Sequence, residues 1–392
     1  MTALNRMKDA TAIVGIGEAG YERNLKRSYL SMGAEAAKQA VRDAGLRATD
    51  IDGICGCANV TYEALQETLG IPEVTWGTNT PGHLISPQSI ASAAHAVHSG
   101  ACETALVVWA TNHPVGSREA ANDPIRVAAA PGRRPLSDVA ELFTQSGEAY
   151  SAWTGRYMHE YGVPREALGL IAINSRTNAA AEARAAFKAP LTMDDYLASR
   201  WIREPFKLLD MEVPVDSGNA FVITTAERAR ELSDRPVVIH SNTMGMSARG
   251  PEHYESAVDY LDLATWVVSR ALWEKSEVER DDIDVIFPYD GYTVISLAWY
   301  EALGYCGPGE GYDFVRQNWC ESEQRLKIGG RTLAHPMGGS LSKGGSQGAS
   351  YFHEAVRQLR GTSSNQVSGA KTALLAVGGF FQNSSGTILR VE

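Results

Sequence analysis

Short apolar runs closed by glycine or a polar turn alternate along this chain with longer stretches whose apolar positions recur every three or four residues. Thr11-Ala-Ile-Val-Gly-Ile-Gly17 reads as a strand buried on both faces. Leu30 to Ala44 has the spacing of an amphipathic helix stopped by Gly45, and Asp50-Ile51-Asp52-Gly53-Ile54 leads into the next strand. Pro87 to His98 is a helix of small residues, with Ser86 as its expected N-cap and Gly100 beyond its end. Cys102 to Ala110, Pro236 to His240, Val285 to Phe287 and Leu374 to Phe380 read as further strands, the last expected to close the sheet. Phe352 to Leu359 reads as a helix. From Asn112 to about Pro214 the periodicity breaks into helices and loops, including a helix over Ala140 to Tyr161 and a loop over Asp123 to Pro135. This stretch is expected to be an insertion over the sheet's ligand face.

The chain also echoes itself. Ala40-Val-Arg-Asp-Ala-Gly-Leu46 followed by Asp50-Ile51-Asp52-Gly53-Ile54 resembles Ala271-Leu-Trp-Glu-Lys-Ser276 followed by Asp282-Ile283-Asp284-Val285-Ile286. Ser99-Gly100-Ala101 before Thr104-Ala-Leu-Val resembles Ser368-Gly369-Ala370 before Thr372-Ala-Leu-Leu. Two matched pairs in the same order indicate two copies of one α/β unit. The expected division is 1–230 and 231–392, with two stacked sheets and helices between and outside them.

Composition narrows the classes. With 392 residues, 44% hydrophobic and 21% charged, the chain can build sizeable cores and has no disordered signature. A net charge of −10 has the wrong sign for nucleic-acid phosphates or anionic lipid. No stretch reaches the ~20 apolar residues of a membrane span and Met1 to Ala10 lacks a signal-peptide core, so a cytoplasmic location is expected. Five cysteines without C-x-x-C spacing argue against a disulfide framework or structural zinc. Gly15, Gly17 and Gly20 spell G-x-G-x-x-G, yet polar Tyr21 to Ser28 opens no helix there, which disfavours dinucleotide binding. His95 and His98 share a helix but have no third partner for a metal.

Tyr289-Asp290-Gly291-Tyr292-Thr293 follows an apolar strand and precedes a helix, placing hydroxyl groups at the mouth of a sheet, where α/β folds bind ligands. Packing tyrosines in a polar loop would produce the same string.

The duplication, Ala302-Leu-Gly-Tyr-Cys-Gly-Pro-Gly-Glu-Gly311, Ser199-Arg-Trp-Ile202, Gly338-Gly-Ser-Leu-Ser-Lys-Gly344 and Glu354 to Gly361 together resemble the thiolase superfamily, in its sterol carrier protein branch. The resemblance implies a thiolase fold of five α-β-α-β-α layers, with the insertion in the first half. It does not extend to the thiolase catalytic groups. The place of the nucleophilic cysteine falls at about His83, H-D-C-F becomes Tyr289-Asp290-Gly291-Tyr292, S-K-G-H-P becomes Ser342-Lys343-Gly344-Gly345-Ser346, and N-x-x-G-G becomes His335-Pro336-Met337-Gly338-Gly339. Without a sulfur nucleophile no acyl-enzyme forms in the usual way. The match is to the steroid side-chain-cleaving aldolases, which lack the cysteine and carry a tyrosine matching Tyr289. That implies retro-aldol cleavage of a β-hydroxyacyl-CoA with no cofactor and no metal. It also implies a homodimer core and a separate OB-fold subunit, with or without a zinc ribbon, in an α2β2 assembly.

Tyr289 is the expected proton-transfer group, Asp290 either raises its pKa by like charge or orients its ring, and His83 and His335 are candidate donors to a thioester oxygen, with packing as the other role open to His335. Tyr292 is a second candidate phenol, because Gly345 stands where the aldolases have a tyrosine. Gly338, Gly339, Ser342, Lys343, Gly344 and Gly345 are expected to approach the substrate. A non-catalytic acyl-CoA-binding scaffold and a partner-dependent Claisen-type acyltransferase are the competing readings.

Overall fold

The computed structural model describes residues 6–57, 59–80, 86–112, 146–245, 260–379 and 384–391. The first half comprises β1 (Thr11–Glu22), α1 (Tyr29–Asp43), β2 (Gly53–Cys57), α2 (Tyr62–Leu69), β3 (Trp76–Thr80), α3 (Ser86–Ser99) and β4 (Thr104–Thr111). Helices α4 (Ser146–Tyr161), α5 (Arg165–Ala179) and α6 (Met193–Ala198) follow before β5 (Asp216–Thr225) completes its sheet in the order β3-β2-β4-β5-β1. Helix α7 (Ala226–Leu232) leads to β6 (Val237–Gly245), α8 (Ala264–Glu274), β7 (Val285–Pro288), α9 (Thr293–Ala302) and α10 (Gly311–Gln317). Then come β8 (Thr332–Ala334), α11 (Ala349–Arg360), β9 (Thr372–Val377) and β10 (Ser384–Val391), in the sheet order β8-β7-β9-β10-β6.

The two orders are one topology used twice. β2 runs parallel to β3 and β4 as β7 does to β8 and β9, and β5 lies antiparallel between β4 and β1 as β10 does between β9 and β6. The sheets join where Ala12 and Ile13 pair with Val238 and Val237. Helices α3 and α11 pack against strands of both halves, while α1 and α2 cover the first sheet's outer face and α8 and α9 the second's. This is the α-β-α-β-α layering of the thiolase fold.

The repeated Asp-Ile-Asp string has a repeated job. Arg47 N–H donates to Asp50 at 2.8 Å and Glu279 N–H to Asp282 at 3.0 Å, each capping a short 3₁₀ turn. Two residues on, Asp52 accepts the backbone N–H groups of Glu103 and Thr104, and Asp284 those of Lys371 and Thr372. Each carboxylate thereby fixes the start of the parallel neighbouring strand.

Three local expectations need correcting. β1 does not end at Gly17 but pairs with β5 through Glu22. A Cβ on Gly15 or Gly17 would lie 2.1 Å from Ala40 O or 2.0 Å from Ala36 O, so these glycines admit α1 closely instead of cradling a phosphate. Ser86 is already helical, and its hydroxyl donates to Gln347 O at 2.8 Å. Leu374 to Phe380 is not the last strand, because β10 follows and pairs antiparallel with β9. The loop Asp123 to Pro135 and residues 140–145 of the helix expected from Ala140 lie outside the described residues. At the end of β2, Cys57 and Val60 exchange both backbone hydrogen bonds at 3.0 Å, so the chain turns back at once.

Candidate active site

Strand β7 ends at Pro288 between β8 and β9, and the next four residues turn the chain into α9. Tyr289 N–H donates to Ala376 O at 2.8 Å, which pins the turn to β9. The Tyr289 side chain is 8% exposed, and its hydroxyl donates to Glu212 Oε2 at 3.3 Å. Burial, then the Glu212 carboxylate, then Tyr150 and Asp290, push the phenol well above its ordinary pKa. The ring is therefore a neutral phenol at physiological pH. A neutral phenol accepts a substrate proton only if its own proton has somewhere to go.

The acceptor of its hydrogen bond is Glu212. It lies between α6 and β5, outside every motif that pointed to the site. Its N–H donates to Gly291 O at 3.0 Å, while the next residue, Val213, donates to Ser340 O and accepts from Gly345 N–H. A Cβ on Gly345 would lie 2.6 Å from Glu212 Oε2, so the carboxylate fills the space of a side chain at 345. The only sequence signal was a lone carboxylate in Met211-Glu212-Val213-Pro214, just ahead of a buried strand.

Asp290 faces the glycine-rich loop. Fully buried, it accepts the N–H groups of Ser340 at 2.7 Å and Leu341 at 3.3 Å, the Ser175 hydroxyl at 3.1 Å and the Tyr351 hydroxyl. A Cβ on Gly339, at φ +57°, would lie 1.9 Å from Asp290 Oδ2, so only glycine lets this carboxylate organise the loop. Tyr351 also meets Ser340 Oγ at 2.8 Å. His335, at φ +51°, holds Nε2 2.6 Å from Pro288 O, which only accepts, so Nε2 carries the proton. Its ring packs edge-on against Tyr351 at 5.1 Å, and its buried Nδ1 has no hydrogen-bond partner among the described residues.

The remaining sequence candidates separate. Tyr292 is stacked between Tyr150 at 4.8 Å and Phe206 at 4.9 Å. Ser342 Oγ accepts from Arg176 Nε at 3.2 Å. Lys343 is buried, with Nζ 2.8 Å from Glu18 and 4.6 Å above the Tyr21 ring. Although burial opposes its ionisation, Lys343, His353 and Arg357 hold Glu18 well below the carboxylate range. Gly338 and Gly344, at φ +95° and +136°, pack against Ala179 and Val215. The structure thus brings Tyr289, Asp290, Gly339 and Gly345 around Glu212 and Tyr351, and turns the side chains of Ser342 and Lys343 into the interior. His83 lies outside the described residues, but Ser86, three residues on, meets the end of the glycine-rich loop at Gln347.

Among the described residues no cysteine hydrogen-bonds to Tyr289 or Asp290. Burial pushes the Cys55 and Cys102 thiols up to about 12, and Cys306 is likewise raised. Among the described residues no group of three or more His, Cys, Asp or Glu is placed to hold a metal ion, and no helix is long and apolar enough to cross a membrane.

The Thiolase C-terminal domain-like family matches residues 249–391. The chain is 33% identical over 378 residues to 17-hydroxy-3-oxo-4-pregnene-20-carboxyl-CoA lyase of Mycobacterium tuberculosis, covering 94% of this chain and 96% of that one. It is 31% identical over 402 residues to the steroid side-chain-cleaving aldolase of Thermomonospora curvata, covering 98% of each. The solved Ltp2-ChsH2(DUF35) aldolase superposes with a TM-score of 0.85 at 29% identity, covering 98% of both chains. Human mitochondrial 3-ketoacyl-CoA thiolase, at 12% identity and a TM-score of 0.68 over 99% of both chains, shares the fold. With its buried phenol at the end of β7 and no cysteine hydrogen-bonded to it, the chain belongs to the thiolase superfamily, in the branch of the steroid side-chain-cleaving aldolases.

Proposed function

We propose that this protein is a carbon-carbon lyase that cleaves a β-hydroxyacyl-CoA by a retro-aldol reaction, with a steroid side chain as the acyl group. The products are a ketone or aldehyde and a shortened acyl-CoA. The observation that carries the reading is the Tyr289–Glu212 pair at the end of β7, an acid-base couple whose phenol has no cysteine hydrogen-bonded to it. Retro-aldol chemistry needs a group to take the β-hydroxyl proton, donors to hold the thioester enolate and a proton for the α-carbon. It needs no cofactor.

In this reading Tyr289 exchanges the proton, and hydrogen-bond donors hold the thioester oxygen, a role worth ~3 kcal/mol per donor. Asp290, held by Ser340 and Leu341, keeps that loop in place. A separate subunit completes the enzyme. The Ltp2-ChsH2(DUF35) complex supports a partner, which we take to be an OB-fold protein in an α2β2 cytoplasmic assembly.

The test is to incubate the protein, with its partner, and a steroid β-hydroxyacyl-CoA without free CoA. Release of ketone or aldehyde together with a shorter acyl-CoA is expected. Strict dependence on free CoA would overturn the lyase reading in favour of thiolysis.

A further inference from the structure

Position 345 carries no side chain, and the space in front of its Cα is taken by a carboxylate from another part of the chain. Glu212 reaches that space because residues 212 and 213 are tied to both neighbouring segments, through Gly291 O on one side and Ser340 and Gly345 on the other. Its Oε2 accepts the Tyr289 hydroxyl at 3.3 Å, and the same atom would lie 2.6 Å from a Cβ on Gly345. The Tyr289 ring also approaches Gly291, where a Cβ would lie 2.6 Å from it, so the phenol has little room to turn away from the carboxylate.

Building on the lyase reading, we infer that Glu212 is the proton acceptor behind Tyr289, so that the two form one relay in place of a second phenol. The β-hydroxyl proton moves to the Tyr289 oxygen as the Tyr289 proton moves to Glu212. The Cα–Cβ bond breaks, its electron pair staying with the α-carbon as the thioester enolate, while the former hydroxyl carbon leaves as a carbonyl. One proton then returns from Glu212 through Tyr289 to the α-carbon. The relay ends as it began, and no oxidant or reductant takes part.

The geometry supports this use of the carboxylate over a purely packing role. A Glu side chain that only filled space would leave Tyr289 buried, protonated and without an acceptor. Asp290 cannot substitute, because its oxygens are engaged by Ser340, Leu341, Ser175 and Tyr351.

The test compares wild type, Glu212→Gln, Glu212→Asp, Glu212→Ala and the double variant Glu212→Ala/Gly345→Tyr in cleavage of a β-hydroxyacyl-CoA with the partner present. Glu212→Gln is expected to lower kcat by ~10²-fold or more with KM within about threefold, the size of a general acid-base contribution. It should also erase the limb of the pH profile in which kcat rises with pH as the carboxylate ionises. Glu212→Asp should recover part of kcat, and the double variant should exceed Glu212→Ala by placing a phenol in the vacated space. An active wild type whose Glu212→Gln variant keeps kcat within threefold and the same pH profile overturns the relay alone. A wild type that cleaves no β-hydroxyacyl-CoA overturns the lyase reading and the relay with it.

Discussion

Lys343 and Glu18 meet at 2.8 Å with both side chains sealed from solvent, and they come from opposite halves of the repeat. Arg357 and the half-exposed Arg184 reach the same carboxylate. A buried pair is costly to form but more costly to break, since one charge is then left in the interior. Lys343→Met should therefore destabilise the fold by ~3 kcal/mol in urea unfolding, Arg357 sparing the larger loss. A change below about 1 kcal/mol would show that Lys343 contributes little there. The acid limb should shift as well. Glu18 is held low in the folded state, so its contribution is present above the unfolded carboxylate pKa and is lost as pH falls toward the folded one. Lys343→Met raises the folded pKa and should bring acid unfolding to higher pH.

His353 stacks on Phe221 at 4.4 Å, and neither of its ring nitrogens has a hydrogen-bond partner among the described residues. Burial lowers its pKa to about 3 from 6.5. The folded state keeps the ring neutral while the unfolded chain protonates it, so stability should fall by about 1.4 kcal/mol per pH unit between 6.5 and 3. His353→Phe should flatten that slope while leaving stability at pH 7 within ~1.5 kcal/mol. Equal slopes in urea titrations of the two proteins would remove His353 from the acid response.

Tyr289→Phe deletes one hydroxyl from a packed ring. Cleavage of a β-hydroxyacyl-CoA should drop by ~10²- to 10⁴-fold in kcat with an unchanged melting temperature. Retained turnover would exclude this phenol from the chemistry, whereas lost turnover with intact binding of substrate and partner would set aside the non-catalytic scaffold.

Gly339 and Gly45 both have positive φ, at +57° and +69°, but only one has a neighbour in the way. Gly45→Ala should cost ~1 kcal/mol, the strain of a left-handed alanine alone. Gly339→Ala places a methyl group 1.9 Å from Asp290 Oδ2 and should cost well above that while displacing the glycine-rich loop. Parallel thermal melts, with a crystal structure of the Gly339 variant, would show whether the carboxylate gives way.

The repeat was legible because its signal is local and chemical. Asp52 and Asp284 each tie down a parallel strand two residues beyond a capping aspartate, and that need writes the same string twice. Tyr289 was legible for a similar reason, as a polar residue closing an apolar strand. Glu212 was not, because its neighbours Met211 and Val213 carry no periodicity and its importance comes from a space at Gly345 far along the chain. Lys343 was misplaced by its surroundings, since a lysine among glycines resembles a ligand contact until the fold sets Glu18 against it. β10 was missed because Ser384-Ser-Gly-Thr reads as a turn, and only pairing with β9 and β6 on either side makes it a central strand.

Cys57 and Val60 close the end of β2 with two hydrogen bonds, at the place in the first half that corresponds to the turn after β7. The first copy's turn is thus closed by its own backbone, whereas the second copy's turn is tied to β9 through Tyr289 and to residue 212 through Gly291. The symmetry that built the scaffold is broken where chemistry begins, so each chain should present a single reactive corner, and one molecule of a tight-binding inhibitor should silence it.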